Sequence, residues 1–228
     1  MTSDKTKPKT QALPTEAVPI FPLPDHVLLP NFPTPYRIFE PRYCELIRDL
    51  LDQEPSERWV TVPQLEEGWQ EHYFSTPPFY PTATLARLLR CRITGDQYLV
   101  AMEGVARCNL SEVSSTHMYR LAMCQTLDDE DVENTALEQA REAISQSVMS
   151  LAATLGKQAQ GLADLVKESP QSDAFVYRVA SIVLTDSSSR RQVLESNSPL
   201  TRAEQVLHET AKLINRVDSL IGKKRKPS

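Results

Sequence analysis

The sequence predicts an α+β protein, in which a β pseudo-barrel carrying one amphipathic helix is followed by a C-terminal α-helical bundle. Three observations predict it. Prolines are dense and apolar runs short before about residue 130, which favours short extended segments over helices. Beyond it the only prolines are Pro170, Pro199 and Pro227, and apolar residues recur at three- and four-residue steps. Within the first of these regimes, two long strand-like runs flank Thr94-Gly95-Asp96-Gln97, which is hairpin turn chemistry.

Taken in order, residues 1–16 are rich in Lys, Thr and Pro with little to bury, and are expected to form a disordered leader. Between Val18 and Pro35, prolines at 19, 22, 24, 30, 33 and 35 allow only short extended pieces, with Ile20, Phe21, Leu23, Val27, Leu28 and Leu29 left for the core. Pro41 suits a first helical position, and Leu46, Ile47, Leu50 and Leu51 share one helical face, so a helix is expected over 41–52. Strands are expected over 59–62, 83–93, 98–108 and 119–126, with an irregular aromatic stretch over 63–81.

In the second half, a long helix is expected after the acidic step at 128–131, with Gly156 and Gly161 marking a weak point or a bend. A second helix starts near Ser172, and the serines at 187–189 read as a loop before a short helix around Val193 and Leu194. A last helix opens on Ser198-Pro199 and is expected to end at Gly222. The expected units are therefore a leader (1–16), a β domain (17–128), a helical bundle (129–222) and a basic tail (223–228).

Composition narrows the function. The 228 residues carry a net charge of -5, which disfavours a dedicated nucleic-acid binder. No apolar run approaches a membrane span and no signal-peptide pattern appears, so a cytoplasmic protein is expected. Cys44, Cys91, Cys108 and Cys124 form no Cys-x-x-Cys pair, and His26, His72, His117 and His208 are scattered. Free thiols and no metal site are expected. With only six glycines there is no P-loop, since Gly156-Lys157-Gln158 and Gly222-Lys223-Lys224 lack the upstream glycine and the hydroxyl. No Gly-x-Ser-x-Gly elbow occurs either, so neither an enzyme nor a cofactor is expected.

Two stretches carry a family resemblance. The first runs Pro19-Ile20-Phe21-Pro22-Leu23-Pro24, Val27-Leu28-Leu29-Pro30 and Ile38-Phe39-Glu40-Pro41-Arg42-Tyr43. The second is Ala86-Arg87-Leu88-Leu89 followed, past the hairpin, by Leu99-Val100-Ala101-Met102-Glu103-Gly104-Val105-Ala106-Arg107. Together they resemble the opening strand, turn and helix start of Lon N-terminal domains and that family's paired strands ending in Glu-Gly-Val-x-Arg. More loosely, residues 175–195 and the final helix resemble the family's later helices. Two departures stand out: Asn31 occupies a position where the family usually has glycine, and Pro81-Thr82-Ala83 lacks another common glycine.

The resemblance implies a PUA-like barrel with an appended bundle, and recognition of polypeptide without ATP hydrolysis or proteolysis. The implied partners are unfolded or exposed polypeptide, and Lon or another protease; net charge disfavours nucleic acid, and with no long apolar run no membrane is expected. Two other readings stay open: RNA binding, favoured by the fold type and by Arg87, Arg90 and Arg92, and a scaffold that docks a folded partner through the bundle. The aromatic loop supplies the candidate peptide-binding residues Trp69, Tyr73, Phe74, Phe79 and Tyr80, because large amphipathic rings on a rigid support anchor interfaces. Glu40, Pro41, Arg42, Tyr43, Glu103, Gly104 and Arg107 are expected to be structural, with Glu40 assisting the helix start and Arg42 bridging the barrel.

Overall fold

In a computed structural model the described residues are 13–73, 75–156, 160–168 and 173–224. Six strands precede five of the six helices: β1 (Val18–Pro19), β2 (Pro33–Ile38), α1 (Pro41–Leu51), β3 (Trp59–Val62), β4 (Thr82–Thr94), β5 (Gln97–Val113), β6 (Leu121–Thr126), then α2 (Asn134–Leu155), α3 (Gln160–Glu168), α4 (Asp173–Val183), α5 (Ser187–Glu195) and α6 (Pro199–Lys224).

The long hairpin of β4 and β5 is the spine of the sheet. Thr94 pairs with Gln97 across a two-residue turn, and Gly95 takes φ +62°, as such a turn requires. The sheet order is β1-β6-β5-β4-β3, and β2 pairs with the first part of β5, on the side that β6 takes further along. Register shifts at Leu85/Ala86 and Leu88/Arg90 bend the hairpin. The sheet then curls until its two ends meet in parallel. Phe21 N donates to Thr61 O (2.8 Å), Leu23 N to Pro63 O (3.0 Å) and Leu65 N to Leu23 O (2.9 Å). The proline-rich segment thus closes the barrel with few backbone donors, as its composition demands.

Helix α1 packs Tyr43, Cys44, Leu46, Ile47 and Leu50 against Val60, Val62, Leu88, Val100 and Met102. Glu40 at its N-cap makes no side-chain capping bond. The absent cap forgoes about 1 kcal/mol, whereas each buried large apolar side chain contributes roughly 1.5–3 kcal/mol, so packing holds this helix.

At Gly104 the Pro30 turn lies on β5, and a Cβ there would meet Leu29 O at 2.7 Å and Pro30 Cα at 2.9 Å. Asn31 N donates to Gly104 O, and Asn31 itself is left-handed at φ +61°. Its family departure is therefore absorbed by a residue that tolerates that region. Thr82 and Ala83 are not among the positive-φ residues, so the second departure needs no permissive backbone.

Several helical expectations shift. Residues 160–168 form a separate helix: of the two expectations for Gly156, a weak point or a bend, the first holds, since at φ +63° it ends α2. The serines at 187–189 are the first turn of α5, not a loop, since the Asp186 carboxylate accepts from Ser189 N at 2.7 Å and caps the helix. Helix α6 continues through Gly222 to Lys224, because nothing at 222 turns the backbone left-handed. Most of the expected leader (1–12) and the last four tail residues (225–228) lie outside the described residues.

The helices share a core of Leu137, Ile144, Val148, Phe175, Val179, Val193, Ala203 and Val206, and Val27 and Leu29 of the β half enter the same core. Polar bonds complete the seam. Arg107 of β5 is 4% exposed and donates to Leu194 O (3.1 Å), Ser196 O (2.7 Å), Asn197 Oδ1 (3.2 Å), Asp128 O (3.3 Å) and Asp129 Oδ1 (2.8 Å). Arg202 of α6, 2% exposed, binds both oxygens of the same Asp129 and Ser196 O. Burial works to raise the Asp129 carboxyl, but the bonds and charges of Arg202 and Arg107 outweigh it and hold it below the usual carboxylate range.

His26 sits near the same seam, with Nε2 3.0 Å from the Tyr36 hydroxyl. Burial, and then the charge of Arg190, push it down to about 4. In the unfolded chain it protonates near 6.5, so between those values the unfolded state binds more protons. Stability should fall by roughly 1–2 kcal/mol as pH drops from about 6.5 to about 4, solvent contact keeping the loss below that of a fully buried ring. Urea denaturation across this window should show that slope, flattened in His26→Gln.

Candidate polypeptide-binding cleft

After β3, the backbone bonds at Leu23 and Tyr80 hold Gln64 and Leu65 in extended form. Gly68, at φ +82°, then turns the chain into a single 3-10 turn, Trp69–His72. The return strand is fixed by Tyr80 N donating to Gln64 O (2.9 Å) and Glu66 N to Pro78 O (3.0 Å). A loop rich in aromatic rings is thereby held at the barrel end, beside the start of α5.

The structure divides the five candidate aromatics. Trp69 and Tyr80 line a cleft of about 330 Å³ with Asp25, Gln64, Glu66 and Arg191. The Arg191 guanidinium lies over the Tyr80 ring at 4.0 Å. Phe79 instead packs on the core beneath Arg120, whose guanidinium is 4.5 Å from its ring. Tyr73 leans on Trp69 (5.3 Å between centroids) and donates its hydroxyl to Glu40. Phe74 lies outside the described residues.

The structural motif residues explain how that loop is held. Arg42 reaches Glu40 Oε2 (2.8 Å) and Tyr73 O (3.0 Å), and stacks at 4.8 Å over Tyr43 and 5.0 Å over Tyr73. The expected roles change accordingly. Glu40, at the N-cap, places its charge by the helix start but directs its side-chain bonds to Arg42 and Tyr73, and Arg42 clamps the aromatic loop instead of spanning the barrel. Pro41 opens α1. Burial, opposed by Arg42, raises the Tyr43 phenol to about 12, so it stays neutral. Glu103 sits in register between Pro33 and Arg87, and Arg107 belongs to the seam.

Gln64, Asp25, Glu66, Glu67, Ser187, Ser188 and Arg191 line the cleft, although none of them is among the binding candidates expected from sequence. The one available signal is the pair Glu66-Glu67 beside Gly68-Trp69; the approach of residue 191 to residue 64 is purely tertiary. His117, one of the scattered histidines from which no metal site is expected, sits 3.4 Å from Asp49 and 3.7 Å from Glu45, with ligand atoms spaced closely enough for a small cation. Those carboxylates are engaged by Tyr119 OH (2.7 Å) and Met118 N (3.1 Å), which pin the loop to α1. All four cysteines are unbridged.

A family model of the ATP-dependent protease La (LON) substrate-binding domain matches residues 17–212. The chain belongs to this family. Lon protease 2 of Sorangium cellulosum is 28% identical over 170 residues; the match covers 73% of this chain, which spans only 20% of that relative's length. Among solved structures, the N-terminal domain of Mycobacterium avium complex Lon protease superposes with a TM-score of 0.68 at 13% identity, covering 86% of this chain and 98% of that one. A Lon N-terminal domain protein from Xanthomonas campestris gives 0.56 at 20% identity, covering 85% and 98%. These two likenesses show the Lon N-terminal fold. Among the described residues, no helix is long and apolar enough to cross a membrane.

Arg42→Met in a Trp59→Phe background should loosen the loop. Acrylamide quenching of Trp69 should rise, while global stability falls by only about 1–2 kcal/mol. Unchanged quenching would mean that Arg42 does not hold the loop.

Proposed function

We propose that this chain is a non-enzymatic recognition module that binds unfolded or exposed polypeptide, acting as an adaptor or regulator of proteolysis alongside Lon or another protease. Membership of the substrate-binding family supports the general role. One observation carries the location: Trp69 and Tyr80 line a cleft on a loop that Arg42, Glu40 and the Gln64–Tyr80 backbone bond hold in place. A braced loop offers aromatic area at low entropic cost, which is what an anchor for an extended chain needs. Residues 17–128 present this surface, and residues 129–222 brace it and supply the α5 wall.

RNA binding stands as a second reading because strand register places Arg37 and Arg92 on either side of Leu99, with Arg90 close by, on a solvent-facing part of the sheet. Fluorescence anisotropy of a labelled, permanently unfolded polypeptide, beside a labelled RNA, separates the two. The expected result is saturable binding of the polypeptide alone, weakened roughly tenfold by Trp69→Ala or Tyr80→Ala. Binding of RNA alone, falling steeply with salt, would replace this reading with the second. Binding of neither would leave a scaffold that docks a folded partner.

A further inference from the structure

The wall of the cleft holds three carboxylates, Asp25, Glu66 and Glu67, against one guanidinium, Arg191. Arg191 is answered by Glu195 at 3.5 Å and lies against Tyr80. None of the three carboxylates forms an ion pair with another described residue. Ser187 and Ser188 bring the start of α5 to the cleft, but Asp186 already caps that positive pole by accepting from Ser189 N. The field inside is therefore negative.

Gln64 adds an independent demand. It is 9% exposed, lines the cleft, and is held at its backbone by Tyr80 N. Its Oε1 is enclosed without a donor, and its carboxamide makes no hydrogen bond to a described residue. A buried carbonyl oxygen without a donor bears an uncompensated desolvation cost, which a guest carrying N–H groups relieves. The last side-chain torsion of glutamine is broad, so the amide can swing toward such a guest. Trp69, half-buried, lines the same cleft, and an indole is the ring type against which a cation rests best.

We propose that this cleft takes the cationic side chain of a lysine or arginine in a bound polypeptide, with Gln64 Oε1 accepting one of its N–H groups and Asp25, Glu66 and Glu67 answering its charge. The proposal rests on the polypeptide-binding reading and makes it specific. Apolar contacts supply general affinity, and this cleft selects segments in which a basic residue interrupts an apolar run. Because one small cleft gathers three acids, the preference should persist at physiological salt, where screening of exposed charges sets in over about 8 Å.

The test uses three fluorescein-labelled unstructured peptides, identical except for a central lysine, norleucine or glutamate, titrated against the full chain by anisotropy. The lysine peptide should bind roughly tenfold more tightly than the norleucine peptide, and the glutamate peptide most weakly. In Glu66→Gln/Glu67→Gln, two surface changes whose folding is checked by circular dichroism, lysine and norleucine should bind within about twofold of each other. Gln64→Leu should weaken the lysine peptide and spare the norleucine one. Equal binding of all three peptides, or a lysine preference that persists in the double variant, would overturn the cation site while leaving polypeptide binding intact. Failure of every peptide to bind would overturn both.

Discussion

Much of this structure depends on one buried arginine. Arg107 leaves the middle of the longest strand and ends among the carbonyls of Leu194, Ser196 and Asp128, sharing Asp129 with Arg202. A guanidinium removed from water needs nearly every donor satisfied, and this one finds its acceptors on segments 21 to 90 residues away in sequence. The barrel and the helices thus meet in one geometry. Because Leu194 and Ser196 end α5, the same network fixes where the start of α5 lies, and with it the far wall of the cleft.

A second chain of contacts reaches the cleft from the other side. The Glu-Pro-Arg-Tyr start of α1 sends Arg42 and Glu40 into the aromatic loop, and Gly104 lets the Pro30 turn lie close on the hairpin. Residues of the two N-terminal stretches that resemble the family therefore act as structural clamps, while most of the surface they position comes from the loop between those stretches and from the start of α5. This division is the usual one between a scaffold and the loops that recognise.

Most of the scaffold was legible in sequence because local chemistry dictates it. Pro41 and the stripe at Leu46, Ile47 and Leu50 specify α1, Thr94-Gly95-Asp96-Gln97 specifies the hairpin, and Ser198-Pro199 opens α6. Where the reading missed, a local competitor won. Asp186 capped three serines into a helix, and Gly222 stayed helical because glycine permits a left-handed stop without compelling one. The cleft was half legible. Aromatic rings in a proline-rich loop pointed to it, but which rings face out follows from Arg42 and Arg120, and Gln64 meets Arg191 only through the closed barrel and the Arg107 seam. No pattern within a single segment records that meeting.

The most direct test of the account is hydrogen–deuterium exchange of the full chain, with and without a bound unfolded polypeptide. Binding should slow exchange together in two segments more than 110 residues apart, around 64–72 and 186–192, with little change along the β4 edge at 88–94. Protection confined to the β4 edge or to the outer face of α6, with the cleft segments unchanged, would contradict it.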